Sequence, residues 1–92
     1  MKHSIHTATD LGQALRAVRK SAKVRIDDLA HTVGMSKQTA TNVEQGKPTV
    51  ALGKVIQLLS EMGLALSIDI PDSALPELDR IRARAQEPGD KP

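Results

Sequence analysis

The sequence predicts a mainly α-helical domain that ends in one β-strand. Apolar residues recur at helical spacing along most of residues 9–62, which predicts short helices joined by turns. Residues 64–70, with the sequence LALSIDI, alternate large apolar residues with small or polar ones, as a half-buried strand does. The whole chain has 92 residues, which is enough for one domain.

The composition argues against several classes of protein. There is no cysteine, so the chain can form neither disulfides nor thiolate metal sites, and a cytoplasmic location is expected. No apolar run is long enough to cross a membrane, and no signal peptide is recognised. The net charge is only +2, but basic residues outnumber acidic ones within residues 10–47. That excess is typical of a surface that binds phosphate, although an ordinary solvated surface would explain it too.

The chain is predicted to have three parts. Residues 1–8 should form a flexible arm, residues 9–70 the folded domain, and residues 71–92 a polar tail. In the arm, His3 and His6 have the spacing of a metal-binding pair, but no third ligand is near them in the sequence. Neither a metal nor a cofactor is therefore expected.

The first helix should start at Thr9 or Asp10 and run to about Ser21. Four apolar residues at helical spacing are predicted to face the core. They are Leu11, Ala14, Leu15 and Val18. Three basic residues fall off that stripe and are expected on the surface: Arg16, Arg19 and Lys20.

Residues 26–45 carry the pattern around which the chain is organised. Gly34 falls where a positive φ is needed, and Ser36 is a good N-cap for the helix that follows. Because Arg25 is a poor N-cap, the preceding helix could begin one or two residues later, with Asp27 as its cap. The apolar residues on the facing sides of this helix pair are Leu29, Val33, Ala40 and Val43. Together these features form a helix-turn-helix pattern, whose second helix enters the major groove of DNA.

The second helix of the pair, residues 37–44, presents side chains that suit the edges of bases. Glutamine can pair with adenine through two hydrogen bonds, lysine can donate to guanine, and a threonine methyl can meet the methyl of thymine. The predicted base-reading residues are Lys37 and Gln38, assisted by Thr39 and Thr41. The predicted phosphate-binding residues are Arg25, Ser36, Asn42 and Lys47.

A further helix should begin after a Thr49 cap, run to about Met62 and carry an inner stripe of Leu52, Val55, Ile56 and Leu59, with Leu58 and Met62 widening the apolar surface. A buried core explains this stripe, and the alternative is that part of it serves a dimer. No other stretch predicts a partner for the strand at residues 64–70. Because a buried strand edge must be hydrogen-bonded, we expect it to pair antiparallel with the same strand of a second copy. The predicted homodimer residues are Leu64, Leu66, Ser67, Ile68 and Ile70. The alternative is a strand that packs only on its own domain.

Pro71 ends the strand, and the tail that follows is polar. Pro76 and Glu77 could open a short helix through Ala85, and the residues after Gln86 should be disordered. Such a tail can be inert, or a partner protein can order it. The sequence leaves both alternatives open.

Residues 10–70 resemble the Cro/repressor-type (XRE) helix-turn-helix family, because Ala30, Gly34, Val43 and the EQGKP segment at residues 44–48 fall where that family's pattern expects them. The final strand is similar to that of HipB-like antitoxins. The resemblance implies a lambda-repressor-like bundle whose dimer binds double-stranded operator DNA, represses its own operon and binds a HipA-like serine/threonine kinase toxin. One departure is Ile26, where the family usually has a glutamine that contacts phosphate.

Three interpretations remain open at this point. The first is a dimeric repressor that is also the antitoxin of a kinase toxin, and the second is a stand-alone repressor without a toxin. The third is a protein-interaction module that uses this fold without touching DNA. An enzyme is not expected, because no nucleophile, base and orienting group occur together in the sequence.

Overall fold

The computed structural model describes residues 1–85, which form a bundle of short helices with a C-terminal extension. They comprise α1 (Ala8–Ser21), α2 (Ile26–Thr32), α3 (Lys37–Glu44), α4 (Leu52–Glu61) and α5 (Leu75–Ala85), with a 3-10 helix (Asp72–Ala74) before α5. The mainly α-helical class predicted from the sequence is confirmed. Over this described range, no helix is both long enough and apolar enough to cross a membrane.

α1 begins at Ala8, before the predicted start at Thr9 or Asp10, because a capping box lies just upstream. The Thr7 hydroxyl accepts a hydrogen bond from the Asp10 N–H at 3.0 Å. The Asp10 carboxylate in turn accepts from the N–H groups of Thr7 at 3.2 Å and His6 at 3.0 Å. These bonds satisfy N–H donors that have no partner inside the helix.

α2 begins at Ile26, so the predicted later start with Asp27 as the cap is wrong. The N-cap residue is Arg25, which has extended backbone angles and makes no capping hydrogen bond with its side chain. The Asp27 carboxylate instead lies 3.1 Å from the guanidinium of Arg25. Asp27 still lies in the first turn of α2, where the helix dipole favours a negative charge.

The turn between α2 and α3 follows the prediction. Gly34 has a φ of 72°, and the N–H of Met35 donates to the carbonyl of Ala30 at 3.0 Å. The Ser36 hydroxyl accepts from the N–H of Thr39 at 3.0 Å and so caps α3. The glycine and the cap fix where α2 ends and where α3 begins.

The hydrophobic core lies between α1, α2, α3 and α4. It consists of Leu15, Leu29, Ala30, Ala40, Val43, Val55, Leu58 and Leu59. Ala30 and Ala40 are each 1% exposed and belong to α2 and α3, which pack against each other. Their small side chains allow these two short helices to approach closely.

α4 differs from the prediction at its start and on its faces. It begins at Leu52 after Ala51, and no side chain caps it, so the predicted Thr49 cap is wrong. Leu58 is fully buried, whereas the predicted core residues Leu52 and Ile56 are 66% and 47% exposed. The buried face of α4 is therefore rotated toward Leu58, which leaves two large apolar side chains on the surface.

The C-terminal segment, residues 64–85, contributes little to this core. Residues 64–70 have no regular secondary structure, and no strand occurs anywhere between residues 1 and 85, so the predicted pairing with a second copy stays a prediction. The predicted short helix after the strand is confirmed as α5, in which no residue is buried. The predicted disorder after Gln86 lies outside the described residues.

Candidate nucleic-acid interface

α3 separates into an inner face and an outer face. Its buried residues are Ala40, Val43 and Glu44, all on one side of the helix. Gln38 and Asn42 lie on the opposite side, and Lys37 and Thr41 lie along its edge; Lys37 and Gln38 are exposed, whereas Thr41 and Asn42 are half-buried. Four of the predicted DNA-contacting residues of α3 thus share the outer face.

A hydrogen bond organises the middle of that outer face. The side-chain amide of Gln38 donates from Nε2 to Oδ1 of Asn42 at 2.8 Å. The two residues are four positions apart, so they lie one above the other on the helix surface. A glutamine amide has two N–H donors and a carbonyl oxygen, so one N–H and the carbonyl remain available for a base.

Thr39 lies with Ser36 at the N-terminus of α3. The two hydroxyl oxygens are 2.9 Å apart, and either residue can be the donor. Whichever residue donates within the pair, one hydroxyl hydrogen remains for another acceptor, such as a phosphate oxygen. The structure therefore groups Thr39 with the predicted phosphate contact Ser36, and its predicted base-reading role stays a prediction.

Arg25 lies at the N-terminus of α2 and is paired with an acid. Its Nη2 and Nε groups donate to the Asp27 carboxylate at 3.1 and 3.3 Å. These bonds lower the pKa of Asp27, and the nearby charge of Lys37 adds a smaller effect in the same direction. Arg25 is mostly exposed, so the pair can open if a phosphate competes for the guanidinium.

Lys47, the last predicted phosphate contact, follows the end of α3. Its N–H donates to the carbonyl of Asn42 at 3.0 Å, and its side chain is exposed. The preceding Gly46 has a φ of 74°, and a Cβ there would lie 2.5 Å from Cα of Thr9. Only glycine fits this position, so the backbone that carries Lys47 is held against the start of α1.

An ion pair that the sequence analysis missed joins α1 to the end of α3. Nε and Nη2 of Arg19 donate to the two carboxylate oxygens of Glu44 at 2.6 and 2.9 Å. Nη1 of Arg19 also donates to the carbonyl of Val24 at 2.9 Å. The side chains of Arg19 and Glu44 are only 10% and 6% exposed, and the hydrogen bonds to Glu44 raise the pKa of the Arg19 guanidinium. The expectation that Arg19 lies on the surface is wrong.

This ion pair changes which basic residues can bind phosphate, but it does not change the basic excess of residues 10–47. Arg19 is not available to phosphate, but its pairing with Glu44 removes one positive and one negative charge together. The basic excess of residues 10–47 is therefore unchanged. The other six basic residues there are all exposed: Arg16, Lys20, Lys23, Arg25, Lys37 and Lys47.

The close approach of α1 and α3 also depends on a glycine. Gly12 is buried, and a Cβ built on it would lie 2.5 Å from the carbonyl oxygens of both Val43 and Glu44. The sequence carried a signal for this contact and for the ion pair. Gly12 and Arg19 stand three residues before and four residues after the core residue Leu15, which places all three on one helix face.

The residues predicted to form the dimer are mainly exposed. Leu64 packs against the core, but Leu66 and Ile68 are 49% and 84% exposed, and Ile70 is 38% exposed. Counting Leu52 and Ile56 of α4, five large aliphatic side chains near the end of the domain face solvent. These five residues are Leu52, Ile56, Leu66, Ile68 and Ile70, and we refer to them as the exposed apolar set.

Comparison with known proteins supplies the family. The sequence model of a family described as "Helix-turn-helix domain" matches residues 10–65. The chain belongs to the helix-turn-helix family. It is also 38% identical over 71 residues to the "Uncharacterized HTH-type transcriptional regulator y4mF" of Sinorhizobium fredii, an alignment that covers 77% of this chain and 93% of that protein. The predicted Cro/repressor-type (XRE) resemblance is thereby confirmed, and this chain is a helix-turn-helix transcriptional regulator.

Solved structures share the fold. One described as "HipB-O4 20mer complex" has a TM-score of 0.69 with 21% identity, covering 77% of this chain and 100% of that one. Another, described as "Structure of HipA-HipB-O2-O3 complex", has a TM-score of 0.70 with 21% identity and the same coverage. At this level of identity the likeness establishes the fold of the bundle alone.

Proposed function

We propose that this helix-turn-helix regulator is a dimeric, sequence-specific repressor and the antitoxin of a HipBA-type toxin–antitoxin module. In this proposal α3 of each subunit enters the major groove of a double-stranded operator, and the dimer also binds a HipA-like serine/threonine kinase toxin. The observation that carries the proposal is the outer face of α3. Its exposed polar side chains stand on a helix that is capped by Ser36 and fixed to α1 by the Arg19–Glu44 ion pair.

Within the groove, Lys37 and Gln38 read bases, with Thr39 and Thr41 assisting. Gln38 retains one N–H and its carbonyl for an adenine edge, and Lys37 can donate to O6 and N7 of guanine. Phosphates are held at both ends of α3 and at the start of α2. The residues in this role are Arg25, Ser36, Asn42 and Lys47.

The dimer forms through residues 64–70. One helix-turn-helix unit makes few contacts, and a two-fold dimer doubles them on half-sites about 34–36 Å apart, or a multiple of that distance. The exposed apolar set supports this step, because three of its five members lie in residues 64–70 and leave there an apolar surface that a second copy can cover. In the proposed arrangement two such segments pair antiparallel, centred near Leu66 to Ile68.

The toxin partner is proposed from the likeness to HipB, one structure of which is described as a complex with HipA. The toxin would bind the outer surface of the dimer, away from α3, with residues 71–92 as a contact. In the part of the tail that the structure describes, Leu75 and Ile81 of α5 are 44% and 61% exposed.

Truncation after Pro71 should leave operator binding nearly intact and weaken toxin binding. Loss of operator binding by the truncated protein would instead assign the tail to the fold or to the DNA site.

DNA reading is tested by Gln38→Ala, with a duplex selected from randomised sequences and an unrelated duplex as probes. Affinity for the selected site should fall by about 1–3 kcal/mol, while affinity for the unrelated duplex changes little. Gln13→Ala is the matched control, because Gln13 is exposed on the side of α1 opposite its buried residues and should leave both affinities unchanged. An equal loss on both duplexes would contradict base reading by Gln38.

Phosphate binding has a different signature in the same measurement. Lys47→Ala should weaken binding to both duplexes by a similar factor and reduce the slope of log affinity against log salt concentration by about 1. A protein-interaction module without DNA contacts would bind neither duplex at any salt concentration. Salt-dependent binding of the wild type to either duplex therefore separates a DNA-binding protein from that alternative, and Lys47→Ala then tests the phosphate contact.

A further inference from the structure

We infer that Asn42 is a positioning residue for Gln38, and that it sets how strongly the protein prefers adenine at one operator position. This inference rests on the proposed function, in which Gln38 reads a base. The observation behind it is the 2.8 Å hydrogen bond from Nε2 of Gln38 to Oδ1 of Asn42. Under the proposed function Asn42 serves as a phosphate contact, which by itself would not affect base preference.

The physical need for a positioning residue comes from the flexibility of glutamine. An exposed glutamine samples many rotamers, and it loses that freedom when its amide docks on a base. The bond to Asn42 restricts the Gln38 amide before DNA arrives, so less freedom is lost on binding. A correct base gains from this restriction more than a wrong base does, because only the correct base makes both hydrogen bonds.

The donors and acceptors are consistent with this role. Adenine offers an N6 donor and an N7 acceptor in the major groove. One N–H of Gln38 Nε2 donates to Oδ1 of Asn42. The other N–H can therefore donate to N7 of adenine while Oε1 accepts from N6. Asn42 retains its Nδ2 donors, so it can contact a phosphate and orient Gln38 at the same time.

The experiment measures the ratio of affinities for two duplexes that differ only at the adenine on which Gln38 acts. To locate that base pair, each A·T pair of the selected site is substituted in turn, and the position at which Gln38→Ala lowers the affinity ratio is chosen. Asn42→Ala should then lower the ratio at the same base pair by about twofold to tenfold, the range expected for the loss of one hydrogen bond. In the Gln38→Ala background, Asn42→Ala should leave the ratio unchanged, since the side chain that it positions is gone.

Asn42→Asp is the matched variant, because it keeps an acceptor at the same place and adds a negative charge. It should weaken binding to both duplexes through repulsion of phosphate but retain most of the ratio. Because Asn42 is only half-buried, we expect its variants to fold, and the helical content and thermal midpoint of each variant check this.

The possible outcomes separate the two proposals. If Gln38→Ala lowers the ratio but Asn42→Ala weakens both duplexes equally, Asn42 is a phosphate contact only and this inference is overturned. If Gln38→Ala lowers the ratio at no base pair, base reading by Gln38 fails, and the inference fails with it. A loss of ratio in Asn42→Ala that persists without Gln38 would show that Asn42 reads the base itself, which also overturns the positioning role.

Discussion

The helix-turn-helix part of the chain and the C-terminal segment complete their contacts in different ways. Between α1 and α4, apolar side chains meet in one core, and the buried charges of Arg19 and Glu44 face each other. In residues 64–85, Ile68 and Ile81 are 84% and 61% exposed, and α5 buries no residue. One chain is thus enough to build the helix-turn-helix and the outer face of α3, whereas the C-terminal segment has apolar side chains that one chain does not bury.

This difference explains why the alternating pattern of residues 64–70 predicts a strand although a single chain does not form one. Alternation at residues 64–70 specifies which side chains share a face, but a strand also needs a neighbour for its backbone groups. Only Leu64, beside the bundle, finds cover within its own chain. The predictions below change one part or the other, and they run from the largest expected effect to the smallest.

Ile68→Asp should have the largest effect if a second copy covers residues 64–70. It would place two charges in the apolar layer between subunits and raise the dimer dissociation constant by more than about a hundredfold. Operator binding should be lost at concentrations where the wild type is saturated. Sedimentation of the wild type and the variant at micromolar concentration measures the change.

Two further variants make that result specific. Asp69→Ser, on the opposite face of the predicted strand, should be tolerated, whereas Ser67→Pro should weaken the dimer because proline removes a backbone donor. A folded wild-type monomer at micromolar concentration, or a dimer that Ile68→Asp leaves intact, would show that residues 64–70 do not hold two subunits together.

Glu44→Ala tests the helix-turn-helix part, where the contacts lie within one chain. It leaves the guanidinium of Arg19 without its carboxylate in a site where the side chain is 10% exposed, so the free energy of unfolding should fall by about 3 kcal/mol. The double change Arg19→Met with Glu44→Leu should recover most of that loss, because it removes both buried charges. Urea denaturation at a fixed protein concentration compares the three proteins, and a loss below about 1 kcal/mol would mean that water replaces Glu44.

Much of the helix-turn-helix could be predicted because its signals are local. Gly34 and Ser36 stand next to the turn and the helix start that they control, so α3 was predicted with its observed limits. For α2 the sequence left two starts open, and the structure has the one at Ile26, with the Asp27 carboxylate paired with Arg25 and not capping the helix. A single cap contributes about 0.5–2 kcal/mol, so other contacts can decide where a helix starts.

The contacts between distant parts of the sequence were harder to predict. Arg19 and Glu44 are 25 residues apart, and each resembles an ordinary surface charge until the helix faces are known. On α4, helical spacing allowed the stripe to be centred on Leu52 and Ile56 or on Leu58, and only the packing against α1–α3 selects Leu58. The roles of the side chains on DNA stay predictions, because they depend on a surface outside the chain.

Gly12→Ala should have the next largest effect on the free energy of unfolding, because it changes the contact between α1 and α3. The added Cβ would lie 2.5 Å from two carbonyl oxygens at the end of α3, and backbone cannot move aside easily. We expect a loss of about 1–3 kcal/mol in the free energy of unfolding. Gly53→Ala on α4 is the matched control, since nothing lies within 4 Å of its added Cβ, and it should stabilise the protein by about 0.5–1 kcal/mol. Equal effects of the two alanines would argue against close packing at Gly12.

The smallest effect should come from the capping box at the start of α1, and it should depend on pH. The backbone N–H of His6, followed by the other bonds of the box, holds the pKa of Asp10 below its ordinary value of 3.8. Because the pKa is lower in the folded state, the stabilisation by Asp10 is fully present above pH 3.8 and is lost as the pH falls through the folded-state pKa. Asp10→Asn should therefore differ most from the wild type near neutral pH and converge with it in acid. Thr7→Ala removes the hydroxyl half of the box and should cost about 0.5–2 kcal/mol near neutral pH. Thermal midpoints from pH 7 to pH 2 measure both variants, and an Asp10→Asn difference that does not change with pH would show that the carboxylate charge has no part in capping α1.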